Sequence, residues 1–311
     1  MKNILIIGGT GQLGLILSKY LLRKNKKIII TSRYKKNIIK KKNFEIIQLD
    51  IFNKREIKNL IEKYIPESIF YFAGQSSPKI SFLKKNQTIK SNFLGCKNFL
   101  ETIKNNNKNI KFFNAASCEM YGNIKSKIKV NSIKRPVSPY GIAKLKSFQL
   151  TKFYRTQKHL KAYNVIFFNT ESIFRKKDYL IPKICLAAIN AKKYNKITSF
   201  GNLEIEREWN WADDQCKMLL KFYKKKPQDF ILSNGKKYSI KEMLNFAFSY
   251  FNLDYKRYVK IDKKLFRKNE VTKKKSDYQN CLKKNGIKKF NFIYGKQLIS
   301  LMISHYLERY K

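Results

Sequence analysis

Seven residues near the start of the chain, Gly8-Gly9-Thr10-Gly11-Gln12-Leu13-Gly14, limit its fold more than any other feature. They follow a continuous apolar run, Asn3–Ile7, and lead into Gly14–Lys24, where apolar residues recur at helical spacing. A short apolar run without alternation is expected of a strand covered on both faces, as in parallel sheets. Glycine permits a tight turn and lets backbone approach a pyrophosphate closely. The following helix then offers free N–H groups and the positive end of its dipole. The spacing G-x-x-G-x-x-G, placed between strand and helix, points to a dinucleotide cradle made by Gly8, Gly9, Thr10, Gly11, Gln12, Leu13 and Gly14.

The pattern set by this unit repeats. Strands are expected at Lys27–Thr31, Phe44–Leu49, Ser68–Ala73, Ile110–Ala115 and Ala162–Phe168, with helices at Thr88–Lys104 and Tyr140–Gln157. Such β-α alternation predicts an α/β fold, a Rossmann-type doubly wound parallel sheet, over residues 1–168. After about Asn169 the alternation fails. Residues 169–311 are expected to form a smaller C-terminal substrate-binding region, with some segments packing back on the first domain. Helices are expected there at Ser239–Asn252, opened by a Ser cap, and at Lys296–Tyr310.

The length of 311 residues and a hydrophobic content of 43% allow one sizeable core or a large domain with a smaller one. The five cysteines, Cys96, Cys118, Cys185, Cys216 and Cys281, form no CxxC pair and no zinc or disulfide spacing, so buried reduced thiols are expected. No signal-peptide pattern and no apolar stretch of membrane-spanning length is present, which makes the cytoplasm the expected address and excludes a membrane partner. Sixty-eight Lys+Arg against 21 Asp+Glu give a formal net charge of +47. The basic residues are mostly Lys and run along the whole chain. No zinc finger or aromatic RNA-binding motif accompanies them, so compositional drift is favoured over a nucleic-acid role. A positive surface still helps to collect an anionic substrate.

The cofactor is read at the end of the second strand. An acid there would accept hydrogen bonds from a ribose 2′-hydroxyl and repel a 2′-phosphate. The chain has Thr31-Ser32-Arg33 instead, and Arg33 can pair with phosphate, which favours NADP. Asp50 and Ile51, after the third strand, are candidates to flank the adenine. Phe72, Ala73, Gly74, Gln75 and Ser76, after the fourth, are candidates to line the nicotinamide side.

Tyr140-Gly141-Ile142-Ala143-Lys144 is Y-x-x-x-K, and on a helix positions i and i+4 share a face. Lys144 is then placed to lower the pKa of the Tyr140 phenol, ordinarily about 10, and to bond the nicotinamide ribose. Ser117 is expected just past the fifth strand, at the carboxyl edge of the sheet where doubly wound folds place their chemistry. It can bond a substrate hydroxyl or ketone oxygen. Glu119 follows by two residues. A reductase or epimerase needs only the Ser and the Tyr, whereas a dehydratase needs a further base for the proton alpha to a transient ketone.

These stretches, GGTGQLG, FAGQSS, AASCEMYG, RPVSPYGIAK, FFNTES, GNLEIEREW and LFRKNEV, resemble the extended short-chain dehydrogenase/reductases, and within them the GDP-mannose 4,6-dehydratase family, over nearly the whole chain. The resemblance implies Ser117, Glu119, Tyr140 and Lys144 as the catalytic set. It implies oxidation of the sugar at C4 with NADP, proton removal at C5, loss of water and hydride return to C6, with GDP-mannose as substrate. It further implies nucleotide contacts from Asn169, Lys183, Asn202, Arg207, Arg267 and Glu270. Thr170 stands where the family usually has His, and Arg175-Lys176 where it has two arginines, so Thr170 and Lys176 are altered cofactor contacts. The loop Tyr34–Asn43 is short and lysine-rich, whereas a longer arginine-containing loop helps to join dimers into tetramers in the family. The implied assembly is therefore a homodimer through the Thr88 and Tyr140 helices, with a tetramer as the alternative. A related nucleotide-sugar reductase or 4-epimerase, or a non-catalytic nucleotide- or nucleic-acid-binding protein on this scaffold, are the alternative functions.

Overall fold

Ile4–Ile7 are shut off from solvent in strand β1 (Asn3–Ile7), and Ile28–Ile30 are equally buried in β2 (Lys27–Ser32). Both are central strands, which explains their unbroken apolar sequence. The computed structural model describes residues 2–34, 39–106, 109–124, 126–266, 271–287 and 290–309. The described chain divides into two compact units. The first takes residues 1–122, 130–167 and 216–232, and the second takes 123–129, 168–215 and 233–311.

The first unit holds one eight-stranded sheet. Its further strands are β3 (Ile39–Lys41), β4 (Phe44–Gln48), β5 (Ser68–Tyr71), β6 (Lys111–Ser117), β7 (Ala162–Phe167) and β8 (Asp229–Leu232), in the order β8-β7-β6-β5-β1-β2-β4-β3. All neighbours are parallel except β3 and β4. The doubly wound sheet expected from the sequence is present. The strand order reverses at β1, and the carboxyl ends of β1, β5 and β6 are where such sheets bind ligands.

Helices α1 (Gln12–Leu22), α2 (Lys54–Tyr64), α3 (Gly95–Asn105) and α4 (Pro139–Gln157) belong to this unit. Ile57, Leu60 and Ile61 of α2 and Phe99 and Leu100 of α3 pack on Leu5, Ile29 and Phe112 of the sheet. Each buried side chain of this size contributes about 1.5–3 kcal/mol. On another part of the sheet Phe70, Phe113 and Tyr163 stack, with centroids 4.7 and 4.3 Å apart.

The first unit departs from the sequence expectations at several places. Helix α2 was not anticipated, although Asn53 caps it by accepting N–H bonds from Arg55 and Glu56 at 3.0 and 3.2 Å. The single helix expected over Thr88–Lys104 is a helix at Lys85–Ile89, a π turn at Lys90–Leu94, and α3. The reason is that Tyr71 donates to the Ser91 carbonyl (2.7 Å) and Asn92 Nδ2 to the Thr88 carbonyl (3.0 Å), which disturbs the regular ladder. The strand expected to stop at Ala115 runs on to Ser117, because its pairing with β7 continues through Ala116 and Ser117. Part of the Tyr34–Asn43 loop is the exposed antiparallel edge strand β3, while residues 35–38 lie outside the described ones.

In the second unit, helices Leu180–Tyr194, Ile240–Ser249 and Gly295–Arg309 enclose a core with Trp209, Met243, Phe248 and Met302. The Ser cap expected at 239 is there, reciprocated by Glu242 in a capping box. In the same unit, the fully buried Glu208 carboxylate accepts bonds from the Ser276 N–H (2.7 Å), the Ser276 hydroxyl (2.6 Å) and the Ser233 hydroxyl. The strands here are pairs of two or three residues: Glu206–Arg207 with Tyr238–Ser239, Asn210–Trp211 with Thr170–Glu171, and Val259–Ile261 with Thr198–Phe200. All five cysteines are buried free thiols. Among the described residues no helix is long and apolar enough to cross a membrane.

Gly14 presses on the backbone of Gly9, so an added Cβ would collide with the Gly9 Cα and carbonyl. The nearest atom to a Cβ at Gly11 would be the Gly8 carbonyl oxygen at 3.3 Å. Gly14→Ala should therefore lower stability by about 1–3 kcal/mol through overpacking, and Gly11→Ala by clearly less. Thermal unfolding followed by circular dichroism checks the order of the two.

Candidate active site

The turn after β1 is shaped for close approach. Gly8 has φ +74°, and a Cβ there would lie 2.7 Å from the Ala73 Cα. Its N–H donates to Thr31 Oγ1 at 3.1 Å, and the Gly9 N–H donates to the Thr31 carbonyl at 3.2 Å, which ties the turn to β2. Gly11, the N-cap of α1, brings no side-chain acceptor, and the first helical turn carries no acid. Thr10 is exposed and Gln12 and Leu13 are half-buried. Open backbone and an uncountered dipole suit a pyrophosphate, so the residues present fit a dinucleotide.

Arg33 lies exposed beyond the end of β2, its guanidinium 5.7 Å from the Tyr34 ring centroid. The Asp50 carboxylate caps its own turn by accepting the Phe52 N–H at 2.9 Å. Ile51 is buried, and its carbonyl accepts from Asn98 Nδ2 at 3.1 Å. Of the segment after β5, Phe72, Ala73 and Gln75 are half-buried and Gly74 and Ser76 exposed. Asn92 was missed by sequence reasoning. Its Nδ2 donates to the Gln75 carbonyl at 3.0 Å, and Gly74 lies directly against its amide. It sits in the π turn, which sequence periodicity does not reveal.

Ser117, Glu119, Tyr140 and Lys144 all belong to the first unit. Ser117 ends β6, and its hydroxyl accepts the Glu119 N–H at 3.2 Å, capping the short turn Cys118–Tyr121. Ser138 caps α4 by accepting the Gly141 N–H at 3.1 Å, and Pro139 fixes the first helical position. The two segments meet at Gly141, where an added Cβ would lie 2.7 Å from the Glu119 carbonyl oxygen. Glycine at the second position of Y-G-I-A-K thus brings Tyr140 against the turn holding Ser117 and Glu119. Tyr140 is 9% exposed, Ser117 7% and Lys144 6%. The Lys144 ammonium lies 5.8 Å from the Tyr140 ring centroid and donates to the Ala115 carbonyl at 2.7 Å. Burial pushes its pKa down to about 8. The neighbouring Cys96 thiol is pushed up to about 12 by its own burial.

The remaining candidates lie in the second unit. The Thr170 hydroxyl is 2.8 Å from Gln215 Oε1 and 3.1 Å from the Phe168 carbonyl oxygen, and Lys176 is exposed. The Asn169 carbonyl accepts the Asn210 N–H at 2.8 Å. Lys183 donates to the Ser199 carbonyl at 2.6 Å, and Asn202 caps its turn through the Glu204 N–H at 2.9 Å. The buried Arg207 guanidinium donates to the carbonyls of Glu206, Val271 and Thr272. Arg267 and Glu270 lie outside the described residues.

The sequence pattern of the family described as GDP-mannose 4,6 dehydratase matches residues 5–289. The chain belongs to this family. It is 28% identical over 328 residues to GDP-mannose 4,6 dehydratase 1 of Arabidopsis thaliana, covering 99% of this chain and 90% of that protein. Its fold matches dTDP-glucose 4,6-dehydratase of Bacillus anthracis in complex with NAD, with TM-score 0.84, 18% identity and coverage of 99% and 97% of the two chains. It also matches RMD of Pseudomonas aeruginosa complexed with NADPH, with TM-score 0.83, 17% identity and coverage of 99% and 100%. Membership of the GDP-mannose 4,6 dehydratase family gives the Tyr140–Lys144 and Ser117–Glu119 pairs a common context.

The buried Lys144 has a stability consequence. Its folded pKa of about 8 lies below the ordinary lysine value of about 10.4. The unfolded chain therefore binds more protons between these values, and stability from this group rises with pH across that window. Lys144→Met should stabilise the ligand-free protein at pH 7 by up to about 3 kcal/mol, with the gain fading towards pH 10. Urea unfolding at both pH values reads this; a variant less stable than wild type at pH 7 contradicts it.

Proposed function

We propose that the chain converts GDP-mannose to its 4-keto-6-deoxy product, with NADP on the Gly8–Gly14 cradle and Ser117, Glu119, Tyr140 and Lys144 as the catalytic set. The observation that carries this reading is the packing of Gly141 on the Glu119 carbonyl, which joins the two halves of the set at one sheet edge. Family membership supports the reaction. Relatives of the same fold hold NAD or NADPH, which supports a nicotinamide dinucleotide. Arg33, with no acid at the end of β2, supports NADP.

Held on the Gly8–Gly14 cradle, the dinucleotide would supply reversible hydride chemistry between C4 and C6. Tyr140 takes the proton of the 4-hydroxyl, helped by the Lys144 ammonium beside its ring. The Ser117 hydroxyl bonds the C4 oxygen and steadies the ketone as it forms. The ketone acidifies the C5 proton, which Glu119 removes as the C6 hydroxyl departs. The two protons held by Tyr140 and Glu119 balance the cycle, one leaving in water and one returning to C5. Lys183, Asn202, Asn169 and Arg207, with Arg267 and Glu270, are proposed for the nucleotide end, and Thr170 and Lys176 for the cofactor.

Glu119→Gln should abolish elimination while leaving dinucleotide affinity intact. Measuring product formation alongside cofactor binding checks this, and a fully active variant would point to a reductase or epimerase instead. Arg33→Ala should weaken NADP by about 10- to 100-fold, the scale of a lost charge-assisted contact, and leave NAD unchanged. Cofactor titration by fluorescence reads the ratio.

A further inference from the structure

The face of α4 turned to the sheet is fixed by polar contacts at four places. The Lys144 ammonium donates to the Ala115 carbonyl. One turn on, the Ser147 hydroxyl accepts from Asn114 Nδ2 at 3.5 Å. The next carbonyl, that of Phe148, accepts from Asn164 Nδ2 at 3.0 Å. Further along, Arg155 pairs with Asp229 at 2.8 Å, and Asp229 also accepts from Asn164 at 2.9 Å. Asn114 and Asn164 are register partners on β6 and β7, and Asn114 Nδ2 donates to Asn164 Oδ1 at 3.0 Å. Both are 0% exposed, and Asn114 Oδ1 is buried with no hydrogen-bond partner.

Two buried amides between apolar neighbours (Phe113 and Ala115, Tyr163 and Val165) cost desolvation, and an apolar pair would fill the same space more cheaply. Directional bonds do what apolar packing does not: they fix rotation and sliding of the helix on the sheet. Asn114 stands at the centre, touching α4 and β7 and preceding the carbonyl that anchors Lys144. We infer that Asn114, acting through Ser147 and Asn164, is a positioning residue that sets Lys144 against the Ala115 carbonyl. This rests on the dehydratase reading above.

Among the described residues, the titratable groups facing Lys144 are Tyr140 on its own helix and the Cys96 thiol of α3. Losing the fixed carbonyl makes the ammonium less favourable, so the alkaline limb of activity moves to lower pH. The test compares Asn114→Leu and Ser147→Ala with wild type in the holoenzyme, by melting temperature, NADP affinity and the pH profile of kcat. In at least one folded variant, kcat should fall on the order of tenfold at pH 7.5, with KM and NADP affinity kept and the alkaline limb shifted down. Asn114→Gln should restore part of kcat. The inference is overturned if every folded variant keeps kcat and limb unchanged, or if kcat falls in the folded variants without any shift of the limb. If wild type itself lacks dehydratase activity, the functional reading fails instead.

Discussion

The site depends on how closely one helix approaches one strand. Gly141 lies against the Glu119 carbonyl, and a methyl group there would push α4 off the end of β6. That single close contact brings the first turn of α4, which carries Tyr140, to the turn bearing Ser117 and Glu119. It also places Lys144 deep enough to lose its solvation. The same burial that costs stability at neutral pH keeps the ammonium charge undiluted beside the phenol.

The glycine turn and the Tyr140–Lys144 helix were legible because their constraints are local. Gly8, Gly11 and Gly14 are spaced by the geometry of one turn and one helix start. Tyr140 and Lys144 are spaced by one helical turn. The positions of Ser117 and Arg33 followed from strand ends, and only the boundary moved, since β6 keeps pairing through Ser117. The charge of +47 told nothing about the site. It offers a field that gathers anions, but it does not choose among them.

What the sequence concealed is non-local. Asn92 holds Gln75 from a π turn that breaks periodicity. Asn114 and Asn164 fall inside two expected strands, but nothing in the sequence shows that they face each other across β6 and β7 and fasten α4. In the second unit, strands of two or three residues leave no alternation to read, and the buried Glu208 is satisfied by Ser233 and Ser276, which lie far along the chain. Arg207 is a nucleotide contact by resemblance, and the three main-chain carbonyls that its guanidinium also bonds are not visible in the sequence.

In the proposed reaction one hydrogen leaves C4 and returns to C6 of the same sugar while water departs. The direct measurement gives the enzyme GDP-mannose deuterated at C4, with NADP well below substrate, and reads the product by mass spectrometry and NMR. The expected product is lighter by one water, with the deuterium on C6 and no net reduction of the cofactor. A product that keeps all its oxygen, or deuterium lost to the cofactor pool, would contradict it.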